Sequence, residues 1–93
     1  MSELDYLAEE YYQEQMIFQE AYSDKRKYNN SLPNKDLVDT ALKADKQRLN
    51  EVTKHFPAYD VAENYKYRPD ALSPKQKTAL ANVLAWYQVT YWR

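Results

Sequence analysis

The sequence predicts a small all-α protein, a three-helix bundle with helices over about 2–28, 35–55 and 73–92. Three observations carry this. Apolar residues recur at helical spacing over three separate stretches, no stretch alternates as a strand does, and the chain has no glycine. At 93 residues the chain is expected to form one domain, 1–93, with a modest core.

The third helix is the best marked. Ser73 reads as its N-cap, Pro74 takes the first helical position, and Gln76 can reach back to the Ser73 backbone. Two apolar rows follow, Leu80, Leu84, Tyr87, Tyr91 beside Ala79, Val83, Trp86. A stripe this wide predicts a helix packed against two others at once. Val89 and Trp92 fall outside it, and Arg93 suits a helix C-terminus. The helix carries more aromatic surface than a small bundle readily buries, so a homodimer is one expectation.

The first helix has Ser2 as candidate cap and buries Leu4, Leu7, Ala8, Tyr11, Tyr12, Phe18 and Tyr22. All its charges from Glu3 to Asp24 are acidic, and the sign reverses at Lys25, Arg26 and Lys27. The helix dipole favours that order at the ends and explains the middle less well. Asn29 to Asn34 reads as a turn, its asparagines available for left-handed backbone where glycine is absent.

The second helix, 35–55, shares one face among Val38, Ala41, Leu42, Leu49, Val52 and Phe56 and is stopped by Pro57. Asp45 interrupts that face. It either finds a partner, with Gln15 as candidate, or stays wet at the edge. Residues 57–71 form a long tyrosine-rich loop carrying Tyr59, Tyr65 and Tyr67, in which Asp60 and Glu63 can start one short helical turn.

The composition excludes several chemistries. Without cysteine there is no disulfide, no thiolate metal site and no cysteine nucleophile. Without glycine there is no phosphate-binding loop, dinucleotide fingerprint or nucleophile elbow. The single histidine, His55, stands four residues after Glu51, a spacing more often met in a surface pair than in a site. No catalytic residue, metal or cofactor is expected. No apolar run can span a bilayer and the acidic start is wrong for a signal peptide, so a soluble, cytoplasmic protein is expected.

Two surfaces remain. Tyr6, Glu10, Gln13, Ile17, Glu20 and Asp24 run along the first helix away from its apolar stripe. An acidic strip with embedded apolar residues suits a basic partner protein, since charge steers and buried apolar groups hold. Nucleic-acid enzymes carry such basic surfaces, and a binding module or inhibitor of one is the leading expectation. The simpler reading is a solvated helix face. Tyr65, Lys66, Tyr67 and Arg68 alternate ring and cation, the chemistry of single-strand binding, and nucleic acid is the alternative partner. Against it, the formal net charge is −1 where nucleic-acid binders are basic. The chain's size and style suit an accessory protein of a phage or mobile element, an expectation that no residue carries.

Overall fold

The computed structural model describes residues 18–92, and among these the structure is all-helical. Helix α1 occupies 18–31 of the described residues. It is followed by α2 (Asn34–Ala41), α3 (Lys46–Asn50), α4 (Ala58–Asn64), a 3-10 turn (Pro69–Ala71) and α5 (Pro74–Tyr91). No described helix is long and apolar enough to cross a membrane.

Helix α5 begins as its sequence dictates. The Ser73 hydroxyl accepts from the Gln76 N–H at 3.2 Å, the Gln76 carbonyl Oε1 accepts from the Ser73 N–H at 3.0 Å, and Pro74 needs no partner for a missing donor. Four leucines, Leu37, Leu49, Leu80 and Leu84, are completely buried with Val38, Ala41, Ala58, Ala62 and Ala81. These join Leu72 and Tyr87 in one core shared by α2, α3, α4 and α5. Removing a leucine side chain from water stabilises by about 1.5–3 kcal/mol, so these four dominate the apolar contribution.

The single second helix expected over 35–55 is two helices. The last turn of α2 tightens, with Lys43 N–H donating to the Thr40 carbonyl and Ala44 N–H to the Ala41 carbonyl, each at 3.1 Å. Asp45 then adopts extended backbone and its carboxylate accepts from the Arg48 N–H at 3.0 Å, capping α3. Its own N–H donates to the Tyr87 hydroxyl at 2.9 Å, which ties the break to α5. The break has a packing cause. In one unbroken helix Leu37 and Leu49 would lie about 120° apart around the axis. Interrupting the helix turns both into the core, where neither retains exposure. Asp45 is therefore an exposed cap, and it does not interrupt a buried face.

The connection 57–71 is likewise more ordered than a loop. Its helix, α4, has Pro57 at the N-cap and so no side-chain cap of its own. The cap comes from α3: the Asn50 carbonyl Oδ1 accepts from the N–H groups of Tyr59 at 2.9 Å and Asp60 at 3.2 Å. The Asn50 amide donates to the Asp60 carboxylate at 3.2 Å. The expected helical start at Asp60 is two residues late, since α4 begins at Ala58 and Asp60 supplies the acid in its first turn. The 3-10 turn is held to α2 by the Asn34 amide donating to the Pro69 carbonyl at 3.1 Å.

The expected turn at Asn29–Asn34 is also shorter. Asn29 and Asn30 belong to α1, and only Leu32 and Pro33 separate it from α2. No described residue has positive φ, so the asparagines do not stand in for glycine. Asn29 instead packs against α5, completely buried, with its amide donating to the Ala81 carbonyl at 3.2 Å and the Gln88 side chain at 2.9 Å. Consequently the second buried row of α5 is Ala81, Ala85, Gln88 and Val89. The expected row, Ala79, Val83 and Trp86, is half-buried or exposed.

Candidate interaction surfaces

Among the described residues, ring and amide contacts seat α1 on α5. The Phe18 ring meets Trp86 edge-on with centroids 6.0 Å apart. Asn29 makes the two buried bonds to Ala81 and Gln88, and the Asn30 amide donates to Asn82 Oδ1 at 3.1 Å. Along α1, Tyr22 stacks on Phe18 at 6.5 Å and Arg26 lies 5.5 Å over the Tyr22 ring. The described part of this seam joins polar side chains to one aromatic pair. The Asn29 carbonyl Oδ1, buried within the seam, has no hydrogen-bond partner.

The seam fixes which face of α1 looks outward. Glu20 lies nine residues before the buried Asn29, about 180° round the helix, and Asp24 about 140° round. Both are exposed. The other residues of the expected acidic strip, Tyr6, Glu10, Gln13 and Ile17, lie outside the described residues, as does Gln15.

The four residues of the aromatic–cation loop separate into two kinds. Tyr65 is half-buried against the core, and its hydroxyl sits 3.2–3.3 Å from the Gln76 side-chain amide, joining the loop to the first turn of α5. Arg68 covers that ring at 5.7 Å. Tyr67 is 90% exposed, the most exposed of the large apolar residues described, with the Lys66 ammonium 5.4 Å from its ring centre. The loop thus offers one exposed ring flanked by two exposed cations.

A third group was only partly legible. Tyr87 contacts Tyr91 at 5.0 Å and Trp92 edge-on at 5.5 Å, and the Arg48 guanidinium lies 4.9 Å over Tyr91. Trp92, which falls off the expected apolar stripe, folds back on Tyr87. Nothing in local spacing marks Arg48, because its contact depends on how α3 meets α5.

His55 and Glu51 are both exposed. Among the described residues no three His, Cys, Asp or Glu side chains gather as a metal site would need. A wide-open depression of about 450 Å³ is lined by Asp45, Lys46, Gln47, Asn50 and Glu51. Four of its five side chains are already engaged: Asp45 and Asn50 act as caps, and the Gln47 amide donates to Glu51 at 3.2 Å. Compared with protein-family models, characterised proteins and solved structures, the chain matches none.

Proposed function

We propose that this chain is a non-catalytic, cytoplasmic protein-binding module, a small helical bundle that engages a basic partner surface through the outward acidic face of α1. The observation that supports this reading is the placement of Glu20 and Asp24, both exposed and about opposite the buried Asn29. That face takes no part in the described packing against α5; it carries both carboxylates, with the exposed Lys27, about 160° from Asn29, at its C-terminal end. Exposed carboxylates of one sign accelerate encounter with a basic surface, and an enzyme that grips nucleic acid presents such a surface.

The test is capture of a partner from nuclease-treated lysate by the tagged chain and by a Glu20→Lys, Asp24→Lys variant. Retention of one stoichiometric protein by the parent, lost in the charge-reversed variant with helicity unchanged by circular dichroism, is the expected result. Equal retention by the variant, or capture of nothing, ends this reading.

A second reading rests on Tyr67. One exposed ring between Lys66 and Arg68 is the minimum for stacking a base beside its phosphates. Fluorescence anisotropy with a labelled single-stranded oligonucleotide decides it. Binding there weakens steeply with salt and is lost in Tyr67→Ala. Salt-independent or absent binding removes it.

A further inference from the structure

We propose that the nucleic-acid surface centred on Tyr67 extends beyond its loop, and that a single strand stacking a base on that ring lays its neighbouring phosphates across the starts of α2 and α5. This rests on the second reading of function and deepens it, naming the ligand as a single strand several nucleotides long.

The extension follows from two ties that local spacing does not show. The Tyr65 hydroxyl joins the loop to the Gln76 amide in the first turn of α5, and Lys75 and Lys77 stand on either side of Gln76. The Asn34 amide joins the 3-10 turn to the start of α2, where Lys35 is the next residue. Arg68 comes between the two ties in sequence and lies over the Tyr65 ring. Three segments distant in sequence thus bring Lys35, Lys66, Arg68, Lys75 and Lys77 to the end of the molecule that carries Tyr67. Four of these cations are exposed and Lys77 is half-buried. Among the described residues none of the five is held in an ion pair.

The same segments carry three carboxylates, Asp36, Glu63 and Asp70, so cations are in excess here although the formal net charge of the chain is −1. Asp60, also exposed, is drawn towards α3 by the Asn50 amide. Excess positive charge suits any polyanion, and Tyr67 decides among them. Its ring is 90% exposed and presents a flat π face, which a base fills and a carboxylate does not. In a duplex the base faces are stacked on one another, so the ring selects a single strand. Tyr65 is held on the bundle by Gln76, which leaves one stacking position here, with the remaining contacts made to phosphates.

The experiment is fluorescence anisotropy of the full-length chain with a labelled oligothymidylate of about ten nucleotides, titrated at two salt concentrations. Each phosphate contact on a single strand adds about −0.7 to the slope of log affinity against log salt. Five contacts predict binding about 45-fold weaker at about 150 mM salt than at about 50 mM, where Lys66 and Arg68 alone predict about 5-fold. Lys75→Gln with Lys77→Gln keeps good helix formers in α5 and lowers the salt effect to about 10-fold. Lys43→Gln with Lys46→Gln removes equal charge at the break between α2 and α3, and leaves the effect at about 45-fold. A parent salt effect of about 5-fold, unchanged in the Lys75, Lys77 variant, overturns the extension and leaves the loop reading standing. Equal reductions in both double variants overturn it as well, because net charge and not place then sets the binding. So does a glutamate peptide of equal charge that competes as well as the oligonucleotide, which means an acidic protein suffices. Absence of any binding to the oligonucleotide ends the extension and the loop reading together.

Discussion

At the scale of single residues, two asparagines perform jobs that their neighbours cannot. Asn50 supplies the cap that Pro57 lacks, across nine and ten residues of sequence. Asn50→Ala should destabilise the fold by about 1 kcal/mol, the usual cost of a lost cap, and Asn50→Asp should keep most of it. Urea unfolding of the three proteins measures this, and equal midpoints for parent and Asn50→Ala would show that the cap is idle. Asn29 is the more demanding case. Its amide faces two acceptors, the Ala81 carbonyl and the Gln88 Oε1. Asn29→Asp changes almost no volume but replaces that donor by a buried charge facing oxygen. It should cost about 3 kcal/mol or more, and more than Asn29→Ala. The loss should appear first as faster hydrogen exchange in α1. An aspartate variant as stable as the alanine one would contradict the buried bonds.

At the scale of elements, the break between α2 and α3 permits a test by sign. If 35–55 were one helix, Asp45→Ala would stabilise it, because alanine is the better helix former. With Asp45 as the α3 cap, the same change should destabilise by about 1 kcal/mol in thermal or urea melts. Within α5, Leu84→Ala should cost about 2–5 kcal/mol from its fully buried position. Val83→Ala, half-buried, should cost clearly less.

The start of α5 was legible in the sequence because Ser73, Pro74 and Gln76 act on one another within one turn. The break at Asp45 was not, since neither glycine nor proline marks it and the apolar spacing runs on through Leu49. What betrayed it was a carboxylate on an apolar face, a clue that only the cap geometry explains. The α5 rows were misjudged for a related reason. Hydrophobicity ranks Trp86 above Gln88, but Gln88 is buried because Asn29, 59 residues away, gives it a partner. Of the acidic strip, the exposure of Glu20 and Asp24 followed from helical spacing. In the aromatic–cation loop, spacing does not say which tyrosine is anchored: Tyr65 reaches Gln76 and Tyr67 stays exposed, a division that depends on tertiary placement.

At the scale of the whole molecule, exposed charges of both signs lie on α1 and around the loop after α4, and the two candidate contacts differ in which sign they use. The described chain puts Glu20 and Asp24 outward on α1 and Lys66 and Arg68 outward on the loop after α4. Contacts that use opposite signs bind partners of opposite charge. The proposed protein partner should therefore be released by Glu20→Lys, Asp24→Lys and retained by Lys66→Glu, Arg68→Glu. A nucleic-acid ligand should show the reverse. Parallel binding titrations of the two double variants at fixed ionic strength distinguish these outcomes, and equal loss from both variants would mean that neither region is the contact.

The chain's two tryptophans stand in different neighbourhoods, Trp86 against Phe18 of α1 and Trp92 against Tyr87 at the end of α5. Each is also partly open to solvent. The protein thus carries its own optical reporters. In a Trp92→Phe background, the emission of Trp86 tracks whether α1 is seated, with no dye and no isotope. Detachment of α1 leaves the indole wetter, shifts its emission to longer wavelength and opens it to collisional quenching, while far-ultraviolet dichroism stays nearly constant. Light alone therefore separates a detached helix from an unfolded chain.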